Sequence, residues 1–120
     1  MPTTLKTVNL EDGMPTLEEA RKRLAQVLTP KSGTAVALKL IHGYGSSGKG
    51  GILRDGIRTS LARRQKEGAI SFFVIGEKWS IFDANSRKAI ERVPALSGDS
   101  DLERWNRGIT IVIIGAQVGD

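Results

Sequence analysis

The sequence predicts an α/β domain with a βαβαβ core and a late fourth strand. Three observations carry this. Segments with the twofold alternation or continuous apolarity of strands recur between segments with helical spacing. The run Thr34 to Ile41 is nearly all apolar, as in a parallel strand covered on both faces. A chain of 120 residues suits one domain, whose core needs neither disulfide nor metal.

Residues 5–10 alternate apolar and polar and read as the first strand. Glu11-Asp12-Gly13-Met14-Pro15 is a turn. Thr16 with Glu19 three residues on makes a capping box, and Glu18 and Glu19 suit the start of a helix dipole. Leu17, Ala20, Leu24, Val27 and Leu28 form the apolar face of that helix, which Pro30 and Gly33 stop. Thr34 to Ile41 is the second strand, completing a βαβ unit. It breaks at His42-Gly43-Tyr44-Gly45, and a flexible stretch runs to Gly51. The second helix, Ile52 to Lys66, is expected to pack through Leu53, Ile57, Leu61 and Ile52. Ile70 to Ile75 is the third strand, with Trp79 to Phe82 as a short extension. Residues 83–92 read as a short helix, 94–108 as a loop with one turn from Asp101 to Trp105, and Ile109 to Ile114 as the last strand.

The absence of cysteine excludes thiolate catalysis and a cysteine-built metal site. No apolar run approaches the roughly 20 residues that span a bilayer, and no leader pattern opens the sequence, so a cytoplasmic protein without a membrane partner is expected. Eighteen Lys and Arg against thirteen Asp and Glu give a net charge of +5. Between residues 49 and 66 stand Lys49, Arg54, Arg58, Arg63, Arg64 and Lys66 against Asp55 alone. A basic face beside a glycine loop favours polyanions. Arg54 and Arg58 lie one helical turn apart near the positive end of their helix, where a bound anion would offset their cost.

The junction offers several chemistries. Gly43 to Gly50 nearly matches the phosphate-binding loop G-x-x-x-x-G-K-[ST], but Gly50 lacks the hydroxyl that holds magnesium. A loop rich in backbone amides beside Lys49 still suits a phosphodiester. His42, the sole histidine, stands at the carboxyl end of a parallel strand, where open α/β sheets place their sites. It reads either as an acid/base or phosphate donor, or as a strand-end histidine bonded to backbone. Glu11 and Asp12 emerge at the same edge if the first two strands are parallel neighbours; carboxylates there can hold Mg²⁺ or act as a base, or form a solvated turn. Trp79 and Trp105 read as base-stacking platforms or as core and loop anchors.

With these motifs in place the chain resembles the Smr (small MutS-related) domain family over about residues 5 to 114. Val8-Asn9-Leu10-Glu11 falls where the family has L-D-x-H, and Thr16-Leu-Glu-Glu-Ala20 resembles its first helix opening. His42-Gly-Tyr-Gly45 and Gly51-Ile-Leu-Arg54-Asp-Gly-Ile-Arg58 resemble its [HT]-G-x-G loop and following L-R-x-x-[IV]-R helix. Gly108-Ile-Thr-Ile-Val-Ile113 resembles its closing strand. The resemblance implies a two-layer α/β sandwich with a four-stranded mixed sheet, like the C-terminal domain of translation initiation factor three. It also implies DNA or RNA binding, with endonuclease activity in some members, and Mg²⁺ as cofactor if this chain cleaves. His42, Gly43, Tyr44, Gly45, Lys49, Arg54 and Arg58 are then the nucleic-acid-contacting residues. Glu11, Asp12 and His42 are the catalytic candidates. The family's Asp and His, linked to cleavage, are replaced by Asn9 and Glu11. Ser46 to Gly50 lengthen the loop, and an added segment, about residues 76–108, is expected to cover the sheet edge or form a partner surface. Two other functions fit the same residues: a non-catalytic protein-interaction module, and a nucleotide-binding protein using the 43–50 loop.

Overall fold

A computed structural model describes residues 5–28, 37–44 and 50–114. Its strands and helices are β1 (Leu5–Asn9), α1 (Leu17–Leu28), β2 (Ala37–Ile41), α2 (Gly50–Lys66), β3 (Phe72–Ile75), α3 (Ala84–Arg92) and β4 (Ile109–Ile113). Short 3-10 turns at Gly76–Lys78 and Pro94–Gly98 flank α3.

The sheet order is β1-β2-β4-β3. β1 pairs in parallel with β2, from Leu5 opposite Ala37 to Asn9 opposite Ile41. β4 runs antiparallel to both β2 and β3. It follows that β1, β2 and β3 point the same way and β4 lies reversed between β2 and β3. The carboxyl ends of three strands and the start of β4 therefore share one edge of the sheet. Being flanked on both sides, β4 is buried at every position, which is why Ile-Thr-Ile-Val-Ile shows no apolar–polar alternation.

Side chains still alternate between the two faces. Leu38, Leu40 and Val112 pack with Leu24, Leu28, Ile57 and Leu61 of α1 and α2. These two helices on the sheet form the two-layer α/β sandwich with a four-stranded mixed sheet. Phe72, Val74, Ile109, Ile111 and Ile113 face the other way, against Trp79, Ala89, Val93 and Leu96. The 76–108 segment thus covers the second face of the sheet rather than its edge, because β3 and β4 are apolar on both sides.

The capping box at α1 forms as the spacing predicts. Thr16 N donates to Glu19 Oε1 (2.9 Å) and Glu19 N to Thr16 Oγ1 (3.1 Å). Asp83 caps α3 by accepting from Ser86 N (2.9 Å). The expected strand extension from Trp79 to Phe82 does not form. β3 ends at Ile75 opposite Thr110. At Gly76 the chain then presses so closely on the Asn106 and Ile109 carbonyls that no Cβ fits. The backbone turns there, and Trp79 enters the second core at 1% exposure.

A buried ion cluster locks that segment to the sheet. Lys39, mid-strand in β2, places its Nζ 2.8 Å from Asp99 Oδ1 and 2.6 Å from Asp101 Oδ2. Trp79 Nε1 donates to the second Asp99 oxygen (3.0 Å), and Asn106 Nδ2 to Asp101 Oδ1 (2.9 Å). Burial opposes the Lys39 charge, but the two aspartates outweigh it and hold its pKa above the ordinary value. Burial likewise opposes the Asp101 charge, and Lys39 and Asn106 outweigh it and hold its pKa below the ordinary value.

Candidate nucleic-acid interface

The residues singled out by the sequence converge on the carboxyl edge of the parallel strands. β1 and β2 are adjacent and parallel, so Glu11 and His42 leave the sheet on the same side. Gly43 adopts φ +73°, a left-handed conformation that favours glycine. The Glu11 carboxylate lies so close against Gly43 that a Cβ there would collide with it. Glu11 N donates to Asn9 Oδ1 (2.9 Å), so Asn9 shapes the turn that delivers Glu11. Asp12 is exposed, and its backbone carbonyl accepts from Arg23 Nη1 of α1 (2.6 Å).

His42 is fully buried. The His42 and Gly43 amides both donate to Gly108 O (2.9 and 3.1 Å), joining the end of β2 to the residue before β4. On the ring, Nδ1 faces Gly43 O (2.8 Å), which can only accept, so the proton resides on Nδ1. Nε2 then accepts from Thr110 Oγ1 (2.9 Å). Thr110 Oγ1 in turn accepts from Arg58 Nε (3.1 Å). Burial pushes the imidazole pKa down to about 4. Arg58 and Arg54 add to that depression, against the Gly43 hydrogen bond and Glu77. The ring is therefore a neutral joint between β2, β4 and α2. Both its nitrogens are engaged internally, so in this conformation neither faces a ligand as acid, base or phosphate donor.

Arg58 also uses its donors inside the protein. Nη1 and Nη2 grip both carboxylate oxygens of Glu77 (3.0 and 2.8 Å), and Nη2 also reaches Ile109 O (3.1 Å). Its side chain is 15% exposed. Burial opposes the Glu77 charge, but Arg58 outweighs it and holds the Glu77 pKa below the ordinary value. Arg54 pairs with exposed Asp55 (3.0 Å). Acidic partners within the chain thus offset the two cations near the start of α2, and the sequence argument that they call for a bound anion loses its force. Gly45 and Lys49 lie outside the described residues.

Tyr44 and Trp105 remain in the open. Tyr44 is 49% exposed, with the Arg107 guanidinium 5.5 Å from its ring centre. Trp105 is 71% exposed. An open cleft of about 700 Å³ lies between them, lined also by Asp101, Arg104, Asn106 and Arg107. Asp101 is held by Lys39, and Asn106 by Asp101 and by Gly108 N (2.8 Å). Of the two tryptophans, Trp79 is buried in the core and Trp105 is exposed. Arg104 and Arg107 escaped the sequence reading because they sit in a stretch without periodicity. The signal available there was an aromatic residue set between arginines.

Among the described residues no group of three or more His, Asp and Glu stands where it can hold a metal ion. No described helix is long and apolar enough to cross a membrane. Comparison with family models, curated proteins and solved structures finds no match to this chain.

Proposed function

We propose that this chain is a nucleic-acid-binding domain of Smr-like character, with its contact surface at the carboxyl edge of the parallel strands. The observation that carries the reading is the exposed shelf of Tyr44, Arg107, Trp105 and Arg104, which pairs aromatic faces with cations beside the glycine loop. The net charge of +5 favours an anionic partner over a neutral or basic one. Endonuclease action is the lesser part of the reading. It would fall to Glu11 and Asp12 with Mg²⁺, since His42 is enclosed.

Labelled RNA and branched DNA incubated with the protein, in Mg²⁺ or in EDTA, test both parts. The expected result is binding without Mg²⁺-dependent cleavage, weakening as salt rises from about 50 to 200 mM. The double variant Arg104→Ala/Arg107→Ala weakens binding across sequences while the fold persists. Absence of binding at low salt to every nucleic acid tried would falsify the reading.

A second reading, a protein-interaction module, has one observation in its favour. Among the described residues the large exposed apolar side chains are Met14, Tyr44, Ile52, Ile81, Phe82 and Trp105. All stand in connections or a first helical turn at this same edge. Absence of nucleic-acid binding at low salt, together with protein association that Phe82→Ser abolishes and Arg104→Ala/Arg107→Ala leaves intact, would favour that reading.

A further inference from the structure

Resting on that reading, we infer that the bound polymer is single-stranded and that an unpaired base stacks on Trp105 at the mouth of the 44/105 cleft. The indole is held outward by a strained turn. Trp105 has φ +56° and Glu103 φ +71°, left-handed conformations uncommon for residues with side chains and an outlier for one as bulky as tryptophan. The turn is nevertheless fixed. Glu103 N donates to Trp79 O (2.9 Å), and the Glu103 carboxylate accepts from Ser80 Oγ (2.7 Å) and Ile81 N (2.8 Å). Leu102 packs inward on the second core. Backbone strain that presents a large aromatic face to solvent is the kind retained at binding sites.

The geometry favours a strand over a duplex. Bases in a duplex already stack on one another and offer no free face; unpaired bases do. Across the cleft, the Tyr44 ring carries the Arg107 plane, a second surface for a neighbouring base. The other polar side chains that line it are Ser100, Asp101 and Asn106, and the last two already bond to Lys39, Gly108 and each other. They leave little to read base edges, so recognition tolerates sequence. Phosphate contacts are few. Arg104 and Arg107 line the cleft, whereas Arg58 is tied to Glu77 and Arg54 to Asp55. Two such contacts give a shallow salt slope of about −1.4.

The protein carries its own reporter, because Trp105 is exposed and Trp79 is buried. The test titrates it with mixed-sequence RNA and DNA single strands of about 12 nucleotides, the matching duplexes, and a nucleoside monophosphate. Single strands are expected to quench the exposed tryptophan emission, and duplexes to bind at least about tenfold more weakly. Trp105→Leu abolishes the quench and weakens single-strand binding by about tenfold or more, and Trp105→Phe restores most of the affinity. Circular dichroism and the residual Trp79 emission report that both variants fold. Equal affinity for duplex and single strand overturns the inference but leaves nucleic-acid binding standing. Single-strand binding indifferent to Trp105→Leu overturns the placement. Equal quenching by the monophosphate makes the cleft a mononucleotide pocket and overturns the assignment to a strand. Binding of none of these overturns both the inference and the reading beneath it.

Discussion

His42 shows how a residue can be located correctly by sequence and still have its chemistry decided by burial. It stands at the strand end beside Gly43, where the pattern puts it, with both nitrogens bonded inside the protein. The unfolded imidazole takes up a proton near pH 6.5, and the folded one does so only at about 4. Between those values the unfolded state binds more protons, so stability rises with pH through this window and the contribution is complete above 6.5. It amounts to about 3 kcal/mol, lost as pH falls from 6.5 to 4. Urea unfolding at closely spaced pH values checks this. The window from about pH 5.5 to 6.5 lies a unit or more above 4.5 and 3.8, the ordinary values of Glu77 and Asp101 at which they titrate when unfolded, so their contribution to the slope is nearly spent there. His42→Gln should be less stable and show a flatter profile there. A slope that survives the substitution contradicts the account, since the chain has no other histidine.

At the scale of elements, the local signals were legible. The Thr16–Glu19 box, the apolar face of α1, the βαβ unit and the late β4 all followed from spacing. The links between distant elements were not. Lys39 interrupts an apolar strand, but its partner Asp99 lies 60 positions away and no spacing announces it. Arg58 and Glu77, 19 positions apart, are hidden for the same reason. The fate of Trp79 followed from the second apolar face of β3 and β4, which a strand pattern apolar on both sides hints at without naming its cover. The Lys39 cluster makes a prediction of its own. Lys39→Met leaves the Asp99 and Asp101 carboxylates without the ammonium between them, so it should destabilise the protein by about 3 kcal/mol or more. Restoring much of that loss with Lys39→Met/Asp99→Asn/Asp101→Asn would confirm that the penalty is unpaired charge. Denaturant midpoints at constant slope are the measurement. A loss under about 1 kcal/mol for the single variant would contradict the buried pairing.

For the molecule as a whole, topology concentrates the ends of β1, β2 and β3 and the start of β4 at one edge, and exposed aromatic and apolar residues collect there. The side chains that the sequence singles out at this edge divide between the interior and the surface. Arg58 and His42 brace it from within, and Tyr44, Arg104, Trp105 and Arg107 form its outer surface. The distinction comes from burial and long-range pairing, which a motif does not encode. The central claim is that this edge meets nucleic acid. Amide and indole chemical-shift mapping during titration with a single-stranded oligonucleotide tests it most directly. The account predicts shifts concentrated at Gly43, Tyr44, residues 104–108 and the Trp105 indole, with residues at the opposite edge, such as Leu5 and Ser71, unmoved. Saturating oligonucleotide that leaves these signals in place, or that moves only the opposite edge, would contradict it.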